Sequence, residues 1–333
     1  MEIIKTPLIL KSLEQRVGCK IILEPKFKQA GSIEFENGRK FYFKNTSIDI
    51  NNFGSAEVSR DKGYTRYFMN ILGYPIPKGE IFFSDHWCTV NKSNNNIFAA
   101  VTYAQQLGFP LIVKPNNKSQ GEDVYKVYDA RQLFNVLKRL FKKHNIILLE
   151  EFIQGNDYRL VVLDNELVMA YQRLPIRLEG NGTNTIEELL SLRLEELRAN
   201  GRHVSLLIND ERIKERLKYF YKVTNDYVPK QYEEITLLDN ANLSTGGTAV
   251  DVTSAINSGY VSTVIKLIKE LGLRFAGVDL ITDGNIKEPP LNLKFIEVNS
   301  SPGLSHYASL GKKYHRNVEN LYIKIVTSLK NMV

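Results

Sequence analysis

Two carboxylates and one carboxamide near the end of the chain are spaced for hard-cation chemistry. Glu297 and Asn299 lie two residues apart in Phe295-Ile-Glu-Val-Asn-Ser-Ser-Pro-Gly303, so on a strand their side chains leave from one face. Asp279, eighteen residues before Glu297, sits in Phe275-Ala-Gly-Val-Asp-Leu-Ile281, a second apolar run that also reads as a strand. Pairing the two strands gathers three oxygen ligands and leaves positions for phosphate and water, a donor set that suits Mg²⁺ rather than zinc. The competing reading, buried strand acids held by hydrogen bonds, fits a lone Glu better than three converging oxygens. The expectation is a magnesium-nucleotide site.

Cations and glycines elsewhere fit the same chemistry. Lys114 ends the apolar run Leu111-Ile-Val-Lys-Pro115, just before a polar loop, 116–123, with the glycine Gly121. A lysine there can meet a phosphate while the loop's N–H groups wrap it; with no Gly-Lys-Ser/Thr signature, a surface lysine in a turn competes. Glu150-Glu-Phe-Ile153 closes another apolar run and is followed by Asp157. Such a strand end can present backbone groups to adenine and an acid to ribose; a solvated acidic loop is the alternative. Arg159 and Arg173 share strand parity, and Arg177 follows. Guanidiniums suit carboxylate or phosphoryl recognition, against the plainer reading of sheet-edge salt bridges. The segment 242–248, with Ser244, Gly246 and Gly247, can bring N–H groups to an oxyanion, although a hairpin turn also explains glycines. Ser301 and His306 follow the Glu297 strand and are placed as substrate contacts. His86, His144, His203 and His315 show no partner pattern and read as solvent-exposed.

The elements that must position these residues mix hairpins with helices, which implies α/β or α+β layers. Strand alternation marks 21–23, 32–35 and 40–44, with a turn at Glu36-Asn-Gly38. A helix is expected from a Ser59 cap, with Tyr64, Tyr67, Phe68, Ile71 and Leu72 at helical spacing. Helices are also expected over 129–143, most of 185–222, 259–271 and 317–331, and paired strands at 158–162 and 167–173 around Asp164-Asn165. The expected division is a small N-terminal domain, 1–58, a central lobe, 59–153, and a C-terminal lobe, 154–333, carrying the metal and substrate residues.

At 333 residues, 43% apolar and 24% charged, the chain can build two or three cores. A net charge of +7 without a basic, aromatic-interleaved stripe argues against nucleic acid. Two unclustered cysteines, Cys19 and Cys88, fit a reducing compartment and no zinc site. No signal segment or membrane-length apolar run is read, so the expectation is a cytoplasmic protein without a membrane partner.

Several stretches together resemble the ATP-grasp superfamily of carboxylate–amine ligases, over about residues 55–310. They are Ser59-Arg-Asp-Lys62, Ile112-Val-Lys-Pro115, Glu151-Phe-Ile-Gln-Gly-Asn-Asp-Tyr-Arg159, Gly180-Asn-Gly-Thr-Asn-Thr-Ile186, Asp239-Asn-Ala-Asn-Leu-Ser-Thr-Gly-Gly247 and Glu297-Val-Asn-Ser-Ser-Pro-Gly303. The pattern is similar to the ATP-grasp part of cyanophycin synthetases and to the glutathione-synthetase half of the bifunctional glutamate–cysteine ligase/glutathione synthetases. The resemblance implies two lobes clasping ATP. Lys62 and Lys114 would contact phosphates, Lys114 also the adenine region, Glu150, Glu151, Phe152 and Ile153 would form the adenine hinge, and Asp157 would hold ribose. Asp279, Glu297 and Asn299 would bind two Mg²⁺ ions, with Mn²⁺ as an alternative. Arg159, Arg173 and the 242–248 loop would face an acyl phosphate and substrate. A homo-oligomer, dimer or tetramer, is also implied.

Asp123 stands where such phosphate loops usually carry a second glycine, and Arg177 replaces a smaller residue. The extra domains of both relatives have no counterpart in the sequence, so neither complete activity is implied. The expected activity is ATP-dependent joining of a small carboxylate, an amino acid or short peptide, to an amine. An ATP-grasp phosphotransferase and a non-catalytic ATP-binding regulator are the alternatives.

Overall fold

The computed structural model describes residues 5–202 and 204–332, so His203 lies outside the described residues. Antiparallel strands β1 (Lys20–Leu23), β2 (Ala30–Glu34), β3 (Lys40–Lys44) and β4 (Ser47–Ile48) form the first sheet in that order. Gly38, at φ 83°, gives the β2–β3 turn the left-handed residue it needs. The second sheet holds β5 (Gly79–Phe83), β6 (Leu111–Pro115), β7 (Tyr125–Val127) and β8 (Ile146–Glu151), ordered β5-β8-β6-β7.

Strands β9 (Asn156–Leu163) and β10 (Glu166–Leu174) form a hairpin whose two turn residues, Asp164 and Asn165, are both left-handed, as such short turns require. A two-stranded ribbon of β11 (Arg177–Glu179) and β12 (Glu234–Thr236) follows. With β13 (Thr248–Asp251), β14 (Phe275–Thr282) and β15 (Lys294–Asn299), the third sheet is ordered β13-β10-β9-β14-β15.

Alternation along the third sheet separates two environments. On one face Tyr158, Leu160, Val162, Ala170, Val278 and Leu280 pack with Tyr260, Val264 and Leu267 of the helix Ser258–Glu270. On the other, Val161, Leu163, Met169, Tyr171 and Phe275 pack with the first sheet and with Leu321, Tyr322 and Ile325 of the helix Lys312–Lys330. The second sheet has its own core, Val113, Ile147 and Leu149 against Leu133, Val136 and Leu137 of the helix Ala130–Leu140. Asp129 caps that helix through Gln132 N at 2.7 Å.

Apolar packing crosses between the expected segments 1–58, 59–153 and 154–333. The first sheet buries Ile21, Ile33 and Phe43 in the same cluster as Val161 and Tyr322, and Met69 joins the core behind β9, β10 and β14. The first helical start also differs. Ser59 lies inside the helix Phe53–Arg60, its hydroxyl donating to Ser55 O, while Asp61 caps the helix Lys62–Ile71 by accepting from Tyr64 N at 2.9 Å. That second helix buries Thr65, Arg66 and Met69 and turns Tyr64, Tyr67, Phe68 and Ile71, with Leu72 beyond it, outward. Arg66 sets this rotation, donating to Pro77 O at 2.8 Å and to Glu150 at 3.2 Å in the interior.

Candidate active site

A cleft of about 700 Å³ lies between the second and third sheets. One wall is the end of β6 and β8. Lys114 and Glu150, both buried, form an ion pair there, and Arg66 reaches the other oxygen of Glu150. Glu150 is therefore a counter-ion to two cations and not part of a solvated acidic loop. Glu151 and Phe152 continue this wall. Lys126 of β7 stands 3.5 Å from the Phe152 ring centroid, within cation–π range, and 3.4 Å from Asp239. Burial depresses the Lys126 pKa, opposed by the Asp239 charge.

The opposite wall is one face of the third sheet. Register places Asp279 opposite both Arg159 and Glu297, and Asp157 opposite Arg173. Arg159 grips Asp279 with two parallel bonds of 2.6 Å, a fork-on-fork geometry. Arg173 lies between two acids, 3.0 Å from Asp279 and 2.7 Å from Asp157 Oδ1. Burial alone would raise the Asp279 pKa, but Arg159 and Arg173 together hold it below the usual carboxylate range. Lys62 spans the cleft and pairs with Glu297 at 2.9 Å.

Asp279, Glu297 and Asn299 all line the cleft, with Gly277 opposite Asn299 in the register. The Asn299 amide nitrogen is buried without a hydrogen-bond partner. Asp279 Oδ1 accepts one guanidinium bond, from Arg159, and keeps a second lone pair, while Oδ2 faces both Arg159 and Arg173. Two carboxylates and an amide oxygen are a donor set that fits a hard divalent cation, whereas the unpartnered Asn299 nitrogen is a donor suited to an anionic oxygen. Among the described residues there is no cluster of three or more His, Cys, Asp or Glu, so such a cation would draw its remaining ligands from substrate and water.

Two loops close the cleft. Gln120, Gly121 and Asp123 all have left-handed backbone in the loop after β6. Gly121 is needed both for that conformation and for room: an added Cβ would stand 2.1 Å from Asn242 Nδ2. The Gly121 carbonyl accepts from Arg212 at 2.8 Å, and Ser244 donates to Gln120 O at 3.1 Å. Asp123 tolerates its own left-handed turn, as Asp does more readily than most residues. Its carboxylate is 2.8 Å from His144 Nε2 and 3.6 Å from Lys143, and it does not line the cleft. Burial opposes its charge, but His144 and Lys143 hold its pKa below the usual range. His144, expected to be exposed and unpartnered, is thus a half-buried partner of Asp123. His315 stands 3.6 Å from Glu319, one helical turn on.

Of the residues singled out in the sequence, Lys62, Lys114, Gly121, Glu150, Glu151, Phe152, Ile153, Asp157, Arg159, Arg173, Ser244, Asp279, Glu297, Asn299, Ser301 and His306 share this one cleft. Three stand apart. Arg177 is exposed on β11, 3.4 Å from Glu234. Gly246, at φ 93°, packs under Ile176, and a Cβ on Gly247 would meet Leu174 O at 2.7 Å. Their lack of side chains allows close packing of the loop. Arg66, Lys126, Arg212 and Arg216 were not anticipated. Arg66 had a signal, since it follows Lys62 by one helical turn and leaves the same face.

The D-ala D-ala ligase C-terminus family matches residues 68–184. A glutathione biosynthesis bifunctional protein of Enterococcus faecalis is 28% identical over 299 residues, covering 86% of this chain and 38% of that protein. A cyanophycin synthetase of Geminocystis herdmanii is 28% identical over 272 residues, covering 79% and 30% respectively. The crystal structure of a bifunctional glutathione synthetase from Pasteurella multocida shares the fold with a TM-score of 0.57 at 20% identity, over 96% of this chain and 43% of that one. These likenesses are to ligases of the kind its motifs resemble, and the last of them is a shared fold. The chain spans less than half the length of the glutathione biosynthesis bifunctional protein and of the cyanophycin synthetase to which it is similar.

Proposed function

We propose that the chain is an ATP-dependent carboxylate–amine ligase. The observation that carries this is the convergence, in one cleft, of two lysines, two arginines and the Asp279–Glu297–Asn299 oxygen set. A substrate carboxylate oxygen attacks the γ-phosphorus of ATP, the β,γ-bridging P–O bond breaks, and ADP leaves. The amine nitrogen then attacks the acyl carbon, the bond to the phosphate oxygen breaks, and amide, phosphate and the amine proton are released.

Lys62 and Lys114 bind the phosphates, exchanging Glu297 and Glu150 for phosphoryl oxygens. The segment 150–153 holds the adenine edge and Asp157 the ribose. Arg159 and Arg173 face the acyl phosphate and the tetrahedral oxyanion, where fixed donors act most strongly. Asp279, Glu297 and Asn299 would hold Mg²⁺, which when bound neutralises triphosphate charge. Ser301 and His306 are placed toward substrate. Among the described residues no helix is long and apolar enough to cross a membrane, and we assign the enzyme to the cytoplasm with small-molecule substrates.

The pairing of Asp123 with His144 and Lys143, outside the cleft, supports catalysis over the regulator alternative. The test is ADP release with Mg²⁺–ATP across a panel of amino acids and dipeptides, offered singly and in pairs, with mass spectrometry of the product. Amide formation dependent on a carboxylate–amine pair is expected. ATP binding without turnover on any pair would overturn the ligase reading.

A further inference from the structure

The first turn of the helix Lys62–Ile71 is pinned to the end of β6 by one side chain. Asn116 is buried and uses its whole carboxamide there: Oδ1 accepts from Gly63 N at 2.8 Å, and Nδ2 donates to Asp61 Oδ2 at 2.6 Å. Its backbone is committed as well. The carbonyl accepts from Lys62 N at 3.3 Å, and the N–H donates to Ile146 O at 3.1 Å, which roots Asn116 in the second sheet. Asp61 caps the helix through Oδ1 alone. Asn caps a helix as well as Asp does, so capping does not account for a carboxylate here. The second oxygen does, because a charged acceptor opposite an amide donor makes a short, strong bond.

Lys62 lies between Asp61 and Gly63, both held by Asn116. Its ammonium donates to Lys118 O at 2.5 Å, in the loop after β6, and crosses the cleft to Glu297 at 2.9 Å. Asp61 and Asn116 do not themselves line the cleft. We propose that Asn116 is a positioning residue for Lys62: with Asp61 it fixes the ammonium to the 116–123 loop, so that cation and loop meet the nucleotide phosphates as one body. The phosphates in this statement rest on the ligase reading; the lock between helix and loop does not. A lysine ammonium ends a flexible four-carbon stem, so fixing its backbone beforehand lowers the ordering left for the nucleotide to impose.

The test is a reciprocal exchange, read by calorimetric titration of the full chain with Mg–ATP. Asn116→Asp sets two carboxylates against each other. Asp61→Asn sets two amide donors against each other, and turning either amide over loses the Gly63 or Tyr64 bond instead. Each single variant is expected to weaken binding about tenfold, within the worth of the Lys62 contact. Asp61→Asn with Asn116→Asp restores a donor opposite a carboxylate and is expected to bind within about twofold of the wild type. In a Lys62→Ala background Asn116→Asp should add less than about twofold, because a residue acting through Lys62 has nothing left to position. Hydrogen exchange without nucleotide is the second readout: the Gly63 and Tyr64 amides should exchange faster in each single variant and regain the wild-type rate in the double variant. Asp61→Asn adds no charge, so it carries the test should Asn116→Asp fail to fold. A wild type with no affinity for Mg–ATP would sink the ligase reading and the phosphate role of Lys62 together. With that affinity present, single variants that bind like the wild type, or a double variant that restores neither affinity nor exchange, would overturn the proposal and leave the ligase reading standing.

Discussion

One face of the third sheet contains two materials made from the same strands. Toward the β9–β10 turn it presents Val161, Leu163, Met169, Tyr171 and Phe275, buried against the first sheet and the last helix. A few residues along, with the same alternation, it presents Asp157, Arg159, Arg173 and Asp279. The apolar half stabilises through area removed from water. The charged half carries desolvated ions whose attraction offsets their lost hydration only because each is gripped by a partner. The strands therefore divide their work, one end anchoring the fold and the other holding charge in place for chemistry.

The sharpest way to break that comparison is on the anchoring half. Phe275→Ala should cost ~3–5 kcal/mol of stability, the usual range for a buried aromatic, measured by denaturant melts. A shift near ~1 kcal/mol would mean that this half is not the anchor. On the charged half, Arg173→Lys keeps the charge but loses the planar reach to both Asp157 and Asp279. Turnover should fall by ~10²–10³, as when one oxyanion donor is lost, with a smaller melting shift than Phe275→Ala. Unimpaired steady-state kinetics would reduce Arg173 to a structural ion pair.

Lys114→Ala should weaken ATP binding by ~1.5–3 kcal/mol in a calorimetric titration, the worth of a charge-assisted contact. Unchanged affinity would leave Lys114 as the partner of Glu150 and nothing more. The smallest effect concerns acid. A carboxyl held below its ordinary value in the folded state stabilises the fold above that value and loses the contribution as pH falls through the folded one. For Asp279 the ordinary value is 3.8, so melting temperature should be indifferent to this group at neutral pH and decline below about 4. Asp279→Asn should show a shallower acid decline; an identical decline would place the acid sensitivity elsewhere.

The charged half was more legible in the sequence than the surface around it. Parity along β14 and β15 put Asp279, Glu297 and Asn299 on one face because strand alternation is a local property. Helical spacing is equally local, yet it misled for the helix Lys62–Ile71. Spacing defines a stripe but not which side faces the interior, and Arg66 outweighed five apolar residues by finding Glu150 from the second sheet. His144 and Asp123 sit at opposite ends of a strand–helix unit, so their pairing depends on how the helix Ala130–Leu140 folds back. Gly246 and Gly247 signalled a close backbone approach, but the approaching groups, Ile176 and Leu174, could be identified only from the tertiary fold.

Because nearly every cation in the cleft is already held by a carboxylate, the resting site offers an arriving anion little uncompensated field. On the proposed reading, capture of a nucleotide would proceed by exchange, Lys62 leaving Glu297 and Lys114 leaving Glu150 as phosphoryl oxygens arrive. The stripping of water from those cations was completed during folding. On that reading, association would depend on the opening of these internal pairs more than on long-range attraction, and an anion too small to engage both lysines at once would be a poor competitor.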